Sequence, residues 1–148
     1  MARRLLARRG QIGVAMGVVE DFVRCYGERD WDGLARCFND DNFERVGPYV
    51  DVISSKDEYL AFLQRVVPTM GGDYALKAER VVYGPEHRVA FAQLVEHLRV
   101  DGEMTDIPEV IIFDLDDQDR ITRMRLYLQQ PGGVAPVGGK DAMGTTPS

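Results

Sequence analysis

From Val14 to Tyr26 the apolar residues Ala15, Val18, Val19, Phe22, Val23 and Tyr26 recur at intervals of three and four. This is one stripe of an amphipathic helix, and Gly27 is its expected stop. Asp30 is placed to cap a second, shorter helix from Trp31 to Phe38, which the Asn39-Asp40-Asp41-Asn42 cluster ends. A short strand from Phe43 to Val46 closes at Gly47-Pro48, and an irregular stretch follows to Ser54. Ser55 and Glu58 form a capping box that opens a third helix, with Tyr59, Phe62, Leu63, Val66 and Val67 on one side and Pro68 at its end. After Gly71-Gly72 the period changes from 3.6 to 2. Residues 74–83, 88–100, 104–115 and 120–129 read as four strands, separated by Gly84-Pro85, Asp101-Gly102 and the loop Asp116-Asp117-Gln118-Asp119. Helices followed by a meander predict an α+β fold with an antiparallel sheet packed on helices.

Asp101-Gly102 is the signature of a two-residue hairpin turn. Cross-strand partners then sum to 203, so Leu98 faces Thr105, Glu96 faces Ile107, Leu94 faces Glu109 and Ala92 faces Ile111, all on one side of the sheet. A bulge at Pro108, which lacks an N–H, would shift this register by one. The side is apolar except for Glu96 and Glu109, which become diagonal neighbours. In the last strand Met124, Leu126 and Leu128 alternate with Arg123, Arg125 and Tyr127, which fixes its inward side. Carboxylates among apolar groups have raised pKa values and exchange protons near neutral pH. Glu96 and Glu109 are therefore the candidate acid–base residues. The competing reading sets them at the sheet rim, solvated or paired with Arg45, Arg80 or Arg99. Glu44 and Arg45 lie on a strand too short to reveal which of them points inward.

Charge and composition narrow the class further. The 148 residues carry 18 Lys and Arg against 24 Asp and Glu, a net charge of −6, and four of the arginines fall in the first ten positions. The body of the chain is near −10, which disfavours nucleic acid as a partner. No apolar run approaches the roughly 18 residues of a membrane span, and a cytoplasmic location is expected. Two cysteines on helical patterns and two histidines ten apart exclude a disulfide framework and a Cys/His zinc site. The Asp114 to Asp119 cluster lacks the glycine and terminal glutamate of an EF-hand, and Gly133 to Lys140 lacks the first glycine and preceding strand of a phosphate loop. No cofactor and no metal are expected. His97 opposite Asp106 reads as a surface cross-strand pair. Residues 1–12 read as a disordered basic extension, 13–130 as one domain, and 131–148, rich in Gly, Pro, Ser and Thr, as a disordered tail.

The helix ending Glu28-Arg29-Asp30-Trp31-Asp32-Gly33-Leu34, the Phe38-Asn39-Asp40-Asp41 entry to the first strand, and the closing run from Phe113-Asp114-Leu115-Asp116-Asp117 to Arg120-Ile121-Thr122-Arg123-Met124-Arg125 together resemble the nuclear transport factor 2-like superfamily, especially its SnoaL-like branch. The resemblance implies three N-terminal helices over a curved sheet enclosing a conical apolar pocket, and a homodimer through the sheet's outer side. On that outer side Phe91, Val95, Val110 and Ile112 form an apolar patch. Matching the chain to ketosteroid isomerases puts Phe22, Val46 and Ile111 where three polar catalytic groups stand. Matching it to limonene epoxide hydrolases pairs Arg99-Val-Asp101 with an Arg-x-Asp motif, but sets Leu126 at the third carboxylate. The pocket is then expected to bind a small apolar molecule with Phe22, Phe62, Leu94, Ile111, Phe113, Met124, Leu126 and Leu128 as walls and Tyr26, Tyr49 and Tyr59 as hydroxyl donors. Two functions fit: a cofactor-independent isomerase, cyclase or hydratase using Glu109 and Glu96, or a non-catalytic ligand-binding or dimerisation module.

Overall fold

The computed structural model describes residues 17–130. The expectations for the basic N-terminal extension and the C-terminal tail fall outside these residues, as does the start of the first helix at Val14. Helix α1, Val18–Glu28, buries Val19, Phe22, Cys25 and Tyr26, the stripe set by its 3.6-residue period. It does not stop at Gly27. Arg29 takes the left-handed conformation (φ 59°) as C-cap, and its guanidinium donates to the Tyr26 and Tyr74 carbonyls. Helix α2 spans only Trp31–Ala35 and is capped by Asp30, whose Oδ1 accepts the Gly33 N–H at 2.9 Å. Phe38 has left the helix and bridges in parallel to Ile121. Helix α3, Lys56–Val66, starts at Ser55, whose hydroxyl accepts the Glu58 N–H; the Glu58 carboxylate accepts from Ser54. A 3₁₀ turn, Val67–Met70, continues it.

The strands are β1, Glu44–Val46; β2, Val52–Ile53; β3, Ala75–Tyr83; β4, Val89–Val100; β5, Glu103–Leu115; and β6, Ile121–Leu128. Their order in the sheet is β2-β1-β6-β5-β4-β3. The β4–β5 register follows the sum of 203 along its whole length, from Val100 opposite Glu103 to Val89 opposite Asp114, without a bulge at Pro108. Asp101 and Gly102 have φ of 52° and 85°, the two positive values a primed turn requires. The stretch read as irregular after Val46 contains β2, which returns antiparallel to β1. The sheet is mixed rather than wholly antiparallel, because β1 lies parallel to β6.

Two bulges bend the sheet. Glu79 is the extra residue between the pairs Ala78–Leu94 and Arg80–Gln93, and Thr122 between Leu115–Ile121 and Asp114–Arg123. Each flips the alternation, so Leu76, Ala78, Val81 and Tyr83 all pack inward despite their mixed parity. Phe22 sits at the centre of the core between helices and sheet, edge-on to Phe113 at 5.6 Å and Phe38 at 6.1 Å. Together the helices and the curved, unclosed sheet form an α+β cone.

Candidate functional site

Strand alternation and the two bulges leave one side of β4, β5 and β6 facing α1 and α3, and between them lies a cavity of about 160 Å³. Phe22, Tyr26, Tyr59, Phe62, Ile111, Leu126 and Leu128 line it, with Glu96 in the wall. Leu94, Phe113 and Met124 share that side but are fully enclosed behind it. Their parity sets the direction in which they point, whereas the overlying helices set their depth. Tyr49 does not reach the cavity. It is 75% exposed at the tip of the Gly47–Asp51 turn, where the Gly47 N–H donates to the Asp51 carbonyl and the Val50 N–H to the Gly47 carbonyl. A larger polar groove of about 720 Å³ lies outside, beside Glu20, Asp30, Arg36 and Arg120, and takes in none of the candidate site residues.

The two glutamates differ in environment. Glu109, opposite both Leu94 and Leu128, is 4% exposed and lies just behind the cavity lining. Among the described residues it forms neither a salt bridge nor a hydrogen bond. Burial, then repulsion from Glu96, pushes its carboxyl up to about 8, and Arg45 offsets this in part. Glu96 accepts a hydrogen bond from the Tyr74 hydroxyl at 2.7 Å, and Tyr74 lies 2.9 Å from the Tyr26 hydroxyl. A phenol has one proton. Tyr74 gives its proton to the carboxylate, so Tyr26 donates to Tyr74, and the three groups form a directed chain ending at Glu96. Burial raises both phenols, Tyr26 to about 12. Tyr74 was invisible as a site residue because only the fold brings it between residues 26 and 96.

The pairing of β1 with β6 settles the parity of Glu44 and Arg45. Arg45 sits opposite inward-facing Met124, while Glu44 turns outward to an ion pair with Arg123 at 3.0 Å. Arg45 is 7% exposed, lines the cavity, and donates to Asp51 Oδ2 at 2.7 Å. Its guanidinium lies over the Phe62 and Tyr59 rings, 5.4 and 5.9 Å from their centres. The other two arginines named as partners for the glutamates are engaged elsewhere, Arg80 with Gln93 and Arg99 with Asp73. His97 and Asp106 pair at 2.6 Å on the exposed side, as expected of a surface pair. Asp116 organises the acidic loop by accepting the Gln118 and Arg120 N–H groups.

The chain belongs to the SnoaL-like domain family, whose sequence profile matches residues 19–124. Among solved structures it is similar to an epoxide hydrolase/cyclase-like enzyme, SalBIII, of pyran ring formation in the polyether salinomycin. The identity is 16% and the TM-score 0.63, over 76% of this chain and 88% of that one. It is also similar to an LEH-like epoxide hydrolase from M. tuberculosis (21%, 0.59, over 76% and 80%) and to an NTF2-like protein of unknown function from Cytophaga hutchinsonii (12%, 0.60, over 76% and 87%). Likeness at such identities shows the fold alone. No curated protein matches the sequence. Among the described residues no helix is long and apolar enough to cross a membrane.

Proposed function

We propose that this SnoaL-like domain binds a small, largely apolar molecule in the cavity and moves a proton on it with Glu96, in an isomerisation, cyclisation or hydration. The observation that carries the reading is a carboxylate in an otherwise aromatic and aliphatic wall, held from behind by the Tyr26–Tyr74 hydroxyl chain. Tyr74 fixes one oxygen of Glu96, leaving the other to accept a proton from a C–H group or a water. Glu109 acts through Glu96. Burial keeps its proton in place near neutral pH, so it sets no second charge beside Glu96. An apolar cavity of about 150 Å³ accommodates benzene, so the substrate is of roughly one-ring size.

The test is ligand-observed NMR with one-ring hydrocarbons, ketones and epoxides in D₂O. Compounds of this size are expected to bind the wild-type protein and to be excluded by Ile111→Trp, which fills the cavity. Deuterium is expected to enter a bound ketone next to its carbonyl, and this exchange should vanish in Glu96→Gln while binding persists. Binding without exchange would leave a ligand-binding module. Absence of binding would overturn the reading altogether.

A further inference from the structure

The cavity wall contains one cation, Arg45. Charged side chains are almost never fully enclosed unless their hydrogen-bonding groups are satisfied, because the lost hydration must be replaced. Arg45 is satisfied on one side only. Its Nη1 is held by Asp51, and the Gly47 turn is shaped around that pair: a Cβ on Gly47 would sit 2.5 Å from Nη1 and 2.4 Å from Asp51 Oδ1. Among the described residues its Nε is enclosed with no hydrogen-bond partner, and its Nη2 forms no hydrogen bond. Tyr59 and Phe62 lie under the guanidinium plane and hold it without taking up its N–H groups. A guanidinium offers five donors in a fixed fork, so a side chain buried at a cavity wall with donors to spare is a recognition element for an acceptor.

We propose that Arg45 is a ligand-binding residue, and that the molecule in the cavity carries a neutral oxygen acceptor, a carbonyl or an epoxide, to which the guanidinium donates. The assignment rests on the small-molecule reading above and adds the substrate's polar group to it. The charges in the wall favour a neutral oxygen over a carboxylate. Asp51 already balances Arg45, and Glu96 would repel a second anion in so small a space. An oxygen held by Arg45 also accounts for a base in a mostly apolar wall. Proton removal from the carbon next to a carbonyl shifts the electron pair onto that oxygen, where the guanidinium stabilises it.

The experiment compares cyclohexanone with methylenecyclohexane, which replaces the oxygen by CH₂ at nearly constant shape, by NMR titration of wild type, Arg45→Met and Arg45→Lys. A hydrogen bond from a charged donor corresponds to about 10-fold or more in affinity. Wild type is expected to prefer the ketone by about that factor. Arg45→Met should lose the preference by weakening the ketone alone, leaving the hydrocarbon within about twofold. Arg45→Lys keeps the charge without the fork, and is expected to weaken the ketone at least threefold and the hydrocarbon not at all; it decides the matter if Arg45→Met fails to fold. Equal weakening of both ligands would overturn the assignment and reduce Arg45 to shaping the cavity. Tighter binding of cyclohexanecarboxylate than of the ketone would overturn the neutral-oxygen class. Failure of every ligand to bind wild type would overturn the underlying small-molecule reading as well, and so is distinguishable from failure of the Arg45 assignment.

Discussion

Replacing Glu109 with Gln tests the electrical state of the cavity floor. Burial and the neighbouring Glu96 hold this carboxyl at about 8, against an ordinary value of 4.5. A raised folded value means that the native state binds the proton more tightly than the unfolded chain does. The resulting stabilisation is fully present below about pH 4.5 and is lost as pH rises towards 8. At about 1.4 kcal/mol per pH unit across that window, the loss is roughly 3 kcal/mol by pH 7 and about 4 kcal/mol by pH 8, and it levels off above that. Gln keeps the shape and has no proton to lose. Glu109→Gln is therefore expected to match wild type near pH 4.5 and to exceed it by roughly 3 kcal/mol at pH 7. Urea unfolding at a series of pH values from 4.5 to 8.5 measures this directly, because the difference between the two curves cancels the titrating groups that are not coupled to Glu109. Glu96→Gln should shorten the sloping region from its high-pH end, since it removes the second cause of the shift. A difference between wild type and Glu109→Gln that stays flat across the range would refute the reasoning.

Three further outcomes are expected. Phe91 and Val110 are exposed on the outer side of the sheet together with Val82 and Tyr127, and this patch is expected to form a homodimer. Light scattering should give twice the 16.6 kDa chain mass for wild type, and the monomer mass for Val110→Arg. Tyr74→Phe removes the donor to Glu96 and leaves the Tyr26 hydroxyl without its acceptor, so a loss of about 1–3 kcal/mol is expected in urea unfolding. Val50 is a β-branched residue at φ 63° on an exposed turn, a conformation that costs about 1–2 kcal/mol, so Val50→Gly should raise the unfolding midpoint. An unchanged or lower midpoint would argue against strain at that position.

The parts legible in the sequence are those fixed by local chemistry. Asp101-Gly102 determines the pairing of twenty-odd residues because a two-residue turn permits a single register, and that register puts Glu96 and Glu109 on one side. The Met124, Leu126 and Leu128 alternation fixes β6 in the same way. Strands of two and three residues have too few positions to express a period, so neither β2 nor the direction of Arg45 is legible in the sequence. Alternation reports the side of a sheet and not the depth beneath it, so Leu94, Phe113 and Met124 were grouped with true lining residues. Tyr49 was misread for a related reason: an aromatic residue after a short strand is ambiguous until the turn that carries it is known. Tyr74 depends on partners 48 and 22 residues away, and no local pattern encodes such a meeting.

The parallel seam between β1 and β6 bears on the order in which the molecule assembles. Every neighbouring pair from β3 to β6 is joined by a hairpin or short loop, whereas the seam brings residue 45 beside residue 124 across most of the domain. Closing so long a loop costs more chain entropy than a hairpin, and the three-residue β1 ladder, the Phe38–Ile121 bridge and the Glu44–Arg123 ion pair act against that cost. On contact order the seam is expected to zip after the β3–β6 hairpins, which pulsed hydrogen exchange would register as later protection of residues 44–46. Since Arg45 rides on it, the proposed ligand-binding wall is expected to be completed only once the seam has closed.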